Sequence, residues 1–362
     1  MQNPDAIFPD RKFLDVVVVG EALIDVVISP EGIREHPGGS PANVAYGLGR
    51  LGVPTGLLTA LGDDERGAAI EAHLSGAGVT LLPGSYSLDR TAVATANVAP
   101  DGSATYEFDV DWDLDPVAPA DLPKVLHTGS IATFLTPGAD AVKKLLQQSH
   151  RGCMVTYDPN IRPSLLGSHT EAKAIFEDLA QLTDVVKLSD EDAKWLYPRM
   201  SLDDTASHIL GLGTDLAVIT KGSEGSLLTT PTTQLAIPAV KSEVADTIGA
   251  GDSYMAALIF GLLSSGTGSF TPAALERLGK TASMAAAITV GRAGANPPTE
   301  AELRDALEQG GMPSDSEGTW RWRRGRDARR PPVRPRAKRC QPCVEPRRPG
   351  CRGLCPRCAD VH

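Results

Sequence analysis

The sequence predicts an α/β protein: a largely parallel central sheet flanked by helices, with a smaller second sheet beside it. Two patterns carry this. Short apolar runs alternate with segments of helical period, as in βα units wound around a parallel sheet. Three other segments, near 22–28, 91–98 and 103–110, alternate polar and apolar residues instead, which marks a small sheet with one wet face. Such a sheet is suited to cover a cleft on the main domain.

Taken in order, Val16–Val19 reads as a buried strand and Ala22–Ile28 as a half-exposed one. Pro41–Leu51 has helical spacing, and so does Asp64–Ala77, with Ile70 and Leu74 on one face. Thr91–Val98 and Ser103–Val110 form a predicted hairpin around the turn signal Pro100-Asp101-Gly102. Strands follow at Val125–His127, Met154–Tyr157, Val185–Leu188 and Leu216–Thr220, with helices between them. Two long helices are expected at Ala250–Leu263 and Leu275–Val290. A closing helix, Glu300–Leu307, has Thr299 placed to cap it.

The 362 residues suffice for one large domain or two ordinary ones. Hydrophobic residues make up 41% but aromatics only 5%, so the core is built from Ala, Val, Leu and Ile. The net charge of −10 conceals two unlike parts. From Trp320 to His362 there are 14 Arg or Lys and three Asp or Glu, a net +11, which leaves the body at −21. An acidic body repels nucleic-acid phosphates and carries no sign of a membrane-surface role. Any anionic ligand must be gripped by a local constellation.

No secretory signal opens the chain, since residues 1–12 are polar and the run Phe13 to Val19 is broken by Asp15. No stretch approaches the ~20 apolar residues of a membrane helix. Before the tail, Cys153 is the single cysteine, so the body has no disulfide framework. The expectation is a cytoplasmic protein.

The strongest chemical signal is Asp246-Thr247-Ile248-Gly249-Ala250-Gly251-Asp252, followed at once by an apolar-periodic helix. Small residues at Gly249, Ala250 and Gly251 let backbone N–H groups converge at the positive end of that helix, a compact anion hole for a phosphoryl group. Asp252, in the first turn, is placed to take a proton from an attacking hydroxyl. The plain alternative is a Gly-rich turn before a helix that starts on an Asp. A second signal lies some 200 residues earlier, where Gly38-Gly39-Ser40-Pro41-Ala42-Asn43 opens another helix. The glycines allow a hinge or a close ligand approach, Pro41 suits a first turn, and Asn43 offers donor and acceptor to a polyol. An ordinary capped helix start is the alternative.

With Asp25 in Gly20-Glu21-Ala22-Leu23-Ile24-Asp25, these segments resemble the ribokinase (PfkB-type) carbohydrate kinase family, from about Asp15 to Leu307. The order of the motifs and the heptad at 246–252 are highly specific. The resemblance implies a ribokinase-like fold: one sugar kinase domain over 1–312, with lid segments at about 21–45 and 90–112. ATP and Mg²⁺ would be required, and a monovalent cation (K⁺) is used by many members. Asp25, Gly39 and Asn43 would hold sugar hydroxyls, Gly249, Ala250 and Gly251 the transferring phosphoryl, and Asp252 would be the base. Asp246 and Thr247 match the monovalent-cation positions, completed by carbonyls from 289–294.

The same resemblance makes Thr220-Lys221-Gly222-Ser223-Glu224-Gly225 the nucleotide-binding strand end, through Thr220, Gly222 and Gly225; a plain hairpin turn is the alternative. It also assigns Lys187 to the nucleotide, in Lys187-Leu188-Ser189-Asp190-Glu191-Asp192. Asp192 matches a residue that acts on Mg²⁺ through water, although the family commonly has Glu there, and a solvated helix-start carboxylate reads equally well. Asp158-Pro159-Asn160-Ile161-Arg162-Pro163 brings Arg162 toward sugar and phosphate, a role suited to a forked guanidinium. Tyr106 and Phe108 on the lid hairpin would wall the sugar, with core packing as the alternative. The opening Gly-Glu-Ala-Leu-Ile-Asp is similar to fructokinases more than ribokinases, which makes fructose the expected acceptor. A ketodeoxygluconate or nucleoside kinase is the alternative within the family. Lids of related proteins sometimes pair, which implies a homodimer through the lid.

Two other matches fail on context. Gly47-Leu48-Gly49-Arg50-Leu51-Gly52 has the letters of a dinucleotide fingerprint but follows a helical segment, not a strand. Gly279-Lys280-Thr281 reads as continuing helix. Residues 313–362 are Arg-, Pro- and Cys-rich, too poor in aliphatics to fold unaided. Cys340-x2-Cys343 and Cys355-x2-Cys358 offer a zinc reading, but the 11 residues between the pairs are fewer than the ~15–20 of a common ribbon. Disorder is the expectation for the tail. A reading from another class is a non-catalytic sugar- or nucleotide-binding protein with that tail as a zinc module.

Overall fold

The computed structural model describes residues 14–30, 32–99, 104–115, 122–265 and 270–310, without the side chains of Ala104, Tyr106 and Ser265. The tail at 313–362 and the turn Pro100-Asp101-Gly102 lie outside the described residues.

A nine-stranded sheet forms the centre. From one edge its strands are Gln234–Ile237, Ser226–Thr229, Leu216–Thr220, Val185–Ser189, Met154–Asp158, Val125–Gly129, Val16–Val19, Thr55–Leu58 and Thr80–Leu81. The last seven run parallel, and the first two are antiparallel additions. Parallel strands buried on both faces read as continuous apolar runs, and Val16–Val19 has all four residues buried. Val16 and Val18 join one hydrophobic core, Val17 and Val19 the other. Each strand thus serves two helical layers, and fully burying each valine contributes about 1.5–3 kcal/mol.

One layer includes the helices Ser40–Arg50, Ala250–Ser265 and Pro272–Val290; the other includes Gly138–Ser149, His169–Ala180 and Leu202–Leu212. Helix ends follow local chemistry. Asp64 caps Glu65–Gly76 by accepting from Gly67 N–H, and Thr299 forms a capping box with Glu302 at the start of Glu300–Gln309. The Gly47–Gly52 run serves packing: a Cβ on Gly47 would meet Ala256 at 2.9 Å.

The second sheet has four strands in the order Gly32–Gly38, Leu23–Ser29, Val93–Val98 and Ala104–Asp109. Its outer pairs are antiparallel and its central pair parallel. This sheet holds the segments expected to form the lid; its strand Gly32–Gly38 ends there, because residues from Ser40 onward already belong to a helix. In register, His36, Asp25, Ala94 and Phe108 form one row across all four strands and so share a face. Among the described residues, no helix is long and apolar enough to cross a membrane.

Candidate active site

Parallel strands in a wound sheet present their carboxyl ends, and the loops after them, along one edge. Five adjacent strands do so here. In sheet order those ends carry Thr220, Lys187 with Ser189, Asp158, the Ser130–Thr133 turn, and Gly20-Glu21. The helix starts at Ser40 and Ala250 bring further groups to this edge.

Asp252 is 8% exposed and lies in the first turn of Ala250–Ser265. Ser40 Oγ donates to its Oδ1 at 2.6 Å, and Asn43 Nδ2 donates to Oδ2 at 2.9 Å. Two helix starts over 200 residues apart in sequence therefore meet at one carboxylate. Burial raises its pKa above the usual carboxylate range, against the hydrogen bonds from Ser40 and Asn43 and the positive fields of Lys187 and Arg162.

The turn before it is shaped by Gly249, whose φ of 72° suits glycine. A Cβ there would also stand 2.6 Å from Ala295 Cβ. Ala250 N–H bonds Thr247 O and Ser253 N–H bonds Gly249 O. Between them fall the N–H groups of Gly251 and Asp252, at a helix end whose first donors have no intrahelical acceptor. Gly251 itself is exposed.

Lys187 stands beside this turn, 3.2 Å from where a Cβ of Gly251 would be. Its Nζ bonds Asp158 Oδ2 at 2.7 Å, and both side chains are buried. Asp158 Oδ1 is buried without a hydrogen-bond partner. Burial pushes the Asp158 carboxyl up to about 6 despite Lys187. For Lys187, the surrounding acids Asp158, Asp252 and Asp192 outweigh burial and raise its pKa, so it stays charged.

On the lid, Asp25 is half-buried, and burial pushes it up to about 6, with His36 and Arg162 opposing and Asp252 assisting. Gly39 is where the chain passes from the second sheet into the helix. Its φ is 97°, and a Cβ would press to 2.7 Å from Glu21 O. Phe108 is half-buried against Leu23, Ala92, Ala94 and Val110, in line with Asp25. Tyr106 lies two residues along the same strand, its side chain outside the described residues. Arg162 is exposed and donates to the backbone carbonyls of Asn160 and Ile161 in its own loop. Its charge is felt by both Asp25 and Asp252.

Other expected residues are held differently. Asp192 is 7% exposed: its Oδ1 accepts from Ile161 N–H at 2.9 Å and its Oδ2 from Ser189 N–H at 3.0 Å. It is a capping carboxylate that also pins the Arg162 loop, with both oxygens engaged. Asp246 accepts from Ile248 N–H at 3.0 Å and Gly294 N–H at 2.9 Å, joining the heptad to the loop after Val290. Thr247 next to it is exposed. Thr220 ends its strand, Gly222 begins a short 3-10 turn, and Gly225 lies against the Ile237 carbonyl, so the stretch is also a hairpin into Ser226–Thr229. No cluster of three or more metal-ligating side chains occurs among the described residues.

Sequence reasoning passed over three residues that the fold brings here: Ser40, Glu21 and Asp158. All stand inside the motifs quoted above, yet none carries a signal of its own. Their partners are distant in sequence.

An edge of strand ends, a helix start beside a buried carboxylate and a small second sheet are the parts of a ribokinase-like α/β fold. The comparisons agree. Residues 14–302 match the pfkB family carbohydrate kinases. A fructokinase of Rhizobium leguminosarum bv. trifolii is 32% identical over 259 residues, covering 68% of this chain and 79% of the relative. A double mutant of fructokinase from Vibrio cholerae O395, solved with fructose, ADP and potassium ion bound, superposes with a TM-score of 0.71 at 26% identity, over 82% of this chain and 98% of that one. Aminoimidazole riboside kinase from Salmonella enterica, complexed with aminoimidazole riboside and an ATP analogue, gives 0.69 at 28%, over 81% and 99%. This chain belongs to the pfkB family of carbohydrate kinases.

Proposed function

We propose that this chain transfers the γ-phosphoryl group of ATP to a hydroxyl of fructose, with Asp252 as the base. The observation that carries the reading is the Asp252 carboxylate, buried and gripped by Ser40 and Asn43 at the mouth of an N–H-lined helix start. A fructose hydroxyl held by Asp25, Asn43 and the Gly39 backbone gives its proton to Asp252 as its oxygen attacks phosphorus in line. The O–P bond forms, the bond to the β-phosphate oxygen breaks, and ADP leaves. The expected anion hole at Gly249, Ala250 and Gly251 is narrowed, because Ala250 N–H already bonds Thr247 O; the N–H groups of Gly251 and Asp252 take the equatorial charge, with Lys187 and Arg162 as the neighbouring cations. Phe108 walls the sugar, and Thr220, Gly222 and Gly225 receive the nucleotide.

Mg²⁺, when bound with ATP, supplies neutralisation of the phosphate oxygens. It is reluctant to shed water and is usually held through substrate phosphates, which suits a site without an all-protein cage. Asp192, with both oxygens engaged, would reach it through water at most. Asp246, Thr247 and carbonyls from 289–294 would hold a monovalent cation, and Asp246 already ties those two stretches together. The enzyme is read as cytoplasmic. The lid carries the exposed cross-strand pair Ile28 and Ile33 on the face opposite Asp25, which supports pairing of two lids.

The nucleoside alternative has a specific basis, since the riboside kinase superposes about as well as the fructokinase. ADP release across fructose, ketodeoxygluconate, ribose and nucleosides, with and without K⁺, separates the readings. Turnover confined to a nucleoside removes fructose, and ligand binding without ADP release on every acceptor removes the catalytic reading. Zinc analysis of the full chain tests the tail: stoichiometric metal would replace the expectation of disorder.

A further inference from the structure

Glu21 is a buried acid that the reaction above leaves unused. It is 3% exposed and stands just after the first strand, where the chain leaves the main sheet for the lid. Its backbone carbonyl is what crowds Gly39, the lid's point of return. Its carboxyl points to the turn after the neighbouring strand: Ala132 N–H donates to Oε2 at 3.1 Å, and the Ser130 side chain adds a hydrogen bond. That turn is constrained, with Ser130 at φ 53°. The helix start packs on the same junction, because a Cβ on Gly20 would meet Pro41 at 2.3 Å and Ala132 at 3.5 Å. One carboxyl thus ties the end of the first strand and the Gly39 turn to the 130–132 turn. The helix that presents Ser40 and Asn43 to Asp252 rests against them.

The charges around it are few. Asp252 faces it from the helix Ala250–Ser265. The helix Ser40–Arg50 presents neutral Ser40 and Asn43, and the 130–133 turn presents a hydroxyl and an N–H. Lys187, Arg162 and Asp25 interact electrostatically with Asp252. Burial, with Asp252 adding to it, pushes the Glu21 carboxyl up to about 8. Two carboxyls in one dry site do not both ionise cheaply.

We propose that Glu21 is a positioning residue: its buried carboxyl, accepting from Ala132 N–H, fastens the end of the first strand, and with it the Gly39 turn and the Ser40 helix start, to the 130–132 turn. The proposal rests on the reading of Asp252 as base. Ionised Glu21 would keep the hydrogen bonds it accepts but place a second negative charge near Asp252, which disturbs the carboxylate that Ser40 and Asn43 hold.

The test compares wild type, E21Q and E21A. kcat and KM are measured separately with fructose and Mg·ATP from about pH 6 to 9.5, and Tm is measured without substrate over a wider range. Wild-type kcat falls above about pH 8. E21Q has the same shape and cannot ionise, so it keeps most turnover at neutral pH and lacks that fall. E21A loses about 10- to 100-fold in kcat at every pH, the scale of a misplaced catalytic constellation. Lys187 does not cause the limb, because its own pKa is raised above the ordinary lysine value. In the substrate-free arm, wild-type Tm declines from about pH 5 to 8.5 and E21Q declines less. An alkaline limb unchanged in E21Q, an E21Q as impaired as E21A, or equal Tm slopes would overturn the proposal. Should fructose fail as a substrate, all three proteins are inactive together and the fructose reading falls; the Tm arm still decides the role of Glu21.

Discussion

Replacing Asp252 by Asn keeps the shape of the side chain and removes its basicity, so it isolates one chemical role. The amide oxygen can accept from Asn43 Nδ2, while the amide N–H₂ donates to Ser40 Oγ, whose hydroxyl rotates to accept. Both contacts, at 2.9 and 2.6 Å in the wild type, are therefore retained in kind. Stability should hold or rise. Burial makes the ionised acid costly here, and the neutral amide does not bear that cost. Catalysis should not hold. A positioned general base contributes about 10²–10⁴-fold, which at about 1.36 kcal/mol per factor of ten is roughly 3–5.5 kcal/mol of barrier. The N–H groups, Lys187 and Arg162 remain in place, so some turnover persists. ADP release at saturating ATP and sugar, with Tm as the control for folding, reads both effects. A D252N enzyme within about tenfold of wild-type kcat, folded and equally stable, would refute the assignment of the base.

Three further outcomes follow from the same geometry. Asp25 has its pKa pushed up to about 6 by burial, so it is protonated progressively below that pH and ceases to accept from sugar hydroxyls. The sugar KM should rise as pH falls from about 7 to 5 and should lose this dependence in D25N. Its unfolded form ionises from 3.8 upward and its folded form only from about 6, so this acid opposes folding at neutral pH, and stability recovers as pH falls through that window. Asp158→Ala leaves Lys187 charged and buried without its partner at 2.7 Å. About 3–5 kcal/mol should be lost in chemical denaturation, and a loss below about 1 kcal/mol would mean that the pair is not buried as described. Gly39→Ala places a Cβ 2.7 Å from Glu21 O at φ 97°. It should cost about 1–3 kcal/mol in stability and raise the sugar KM by displacing the lid; an unchanged Tm and KM would show that the pivot lies elsewhere.

The alternation of apolar runs with helical segments located most of the sheet and its helices because burial on both faces imposes a local pattern. Val16–Val19 is a strand with the expected bounds, and Thr299 caps the last helix as its sequence implies. The lid strands near 23–29, 93–98 and 104–109 were legible from their two-residue period. Gly32–Gly38 was not: its sequence Gly-Ile-Arg-Glu-His-Pro-Gly carries five consecutive exposed residues and no apolar alternation, and it is a strand because it pairs with Leu23–Ser29. Thr55–Leu58 and the antiparallel pair at 226–229 and 234–237 likewise escaped, being short and dependent on neighbours for their backbone hydrogen bonds.

The sequence by itself determined the two glycine-bearing helix starts and the acid behind the second, because close backbone approach and helix polarity are properties of a few adjacent residues. Only the tertiary structure decided who meets whom. It set Ser40 on Asp252, placed Lys187 between Asp158 and the Gly251 turn, engaged both oxygens of Asp192 and buried Glu21 beside the Gly39 turn. Charge state and reach depend on burial and on partners that approach through space. A linear pattern does not encode the dielectric around a carboxyl.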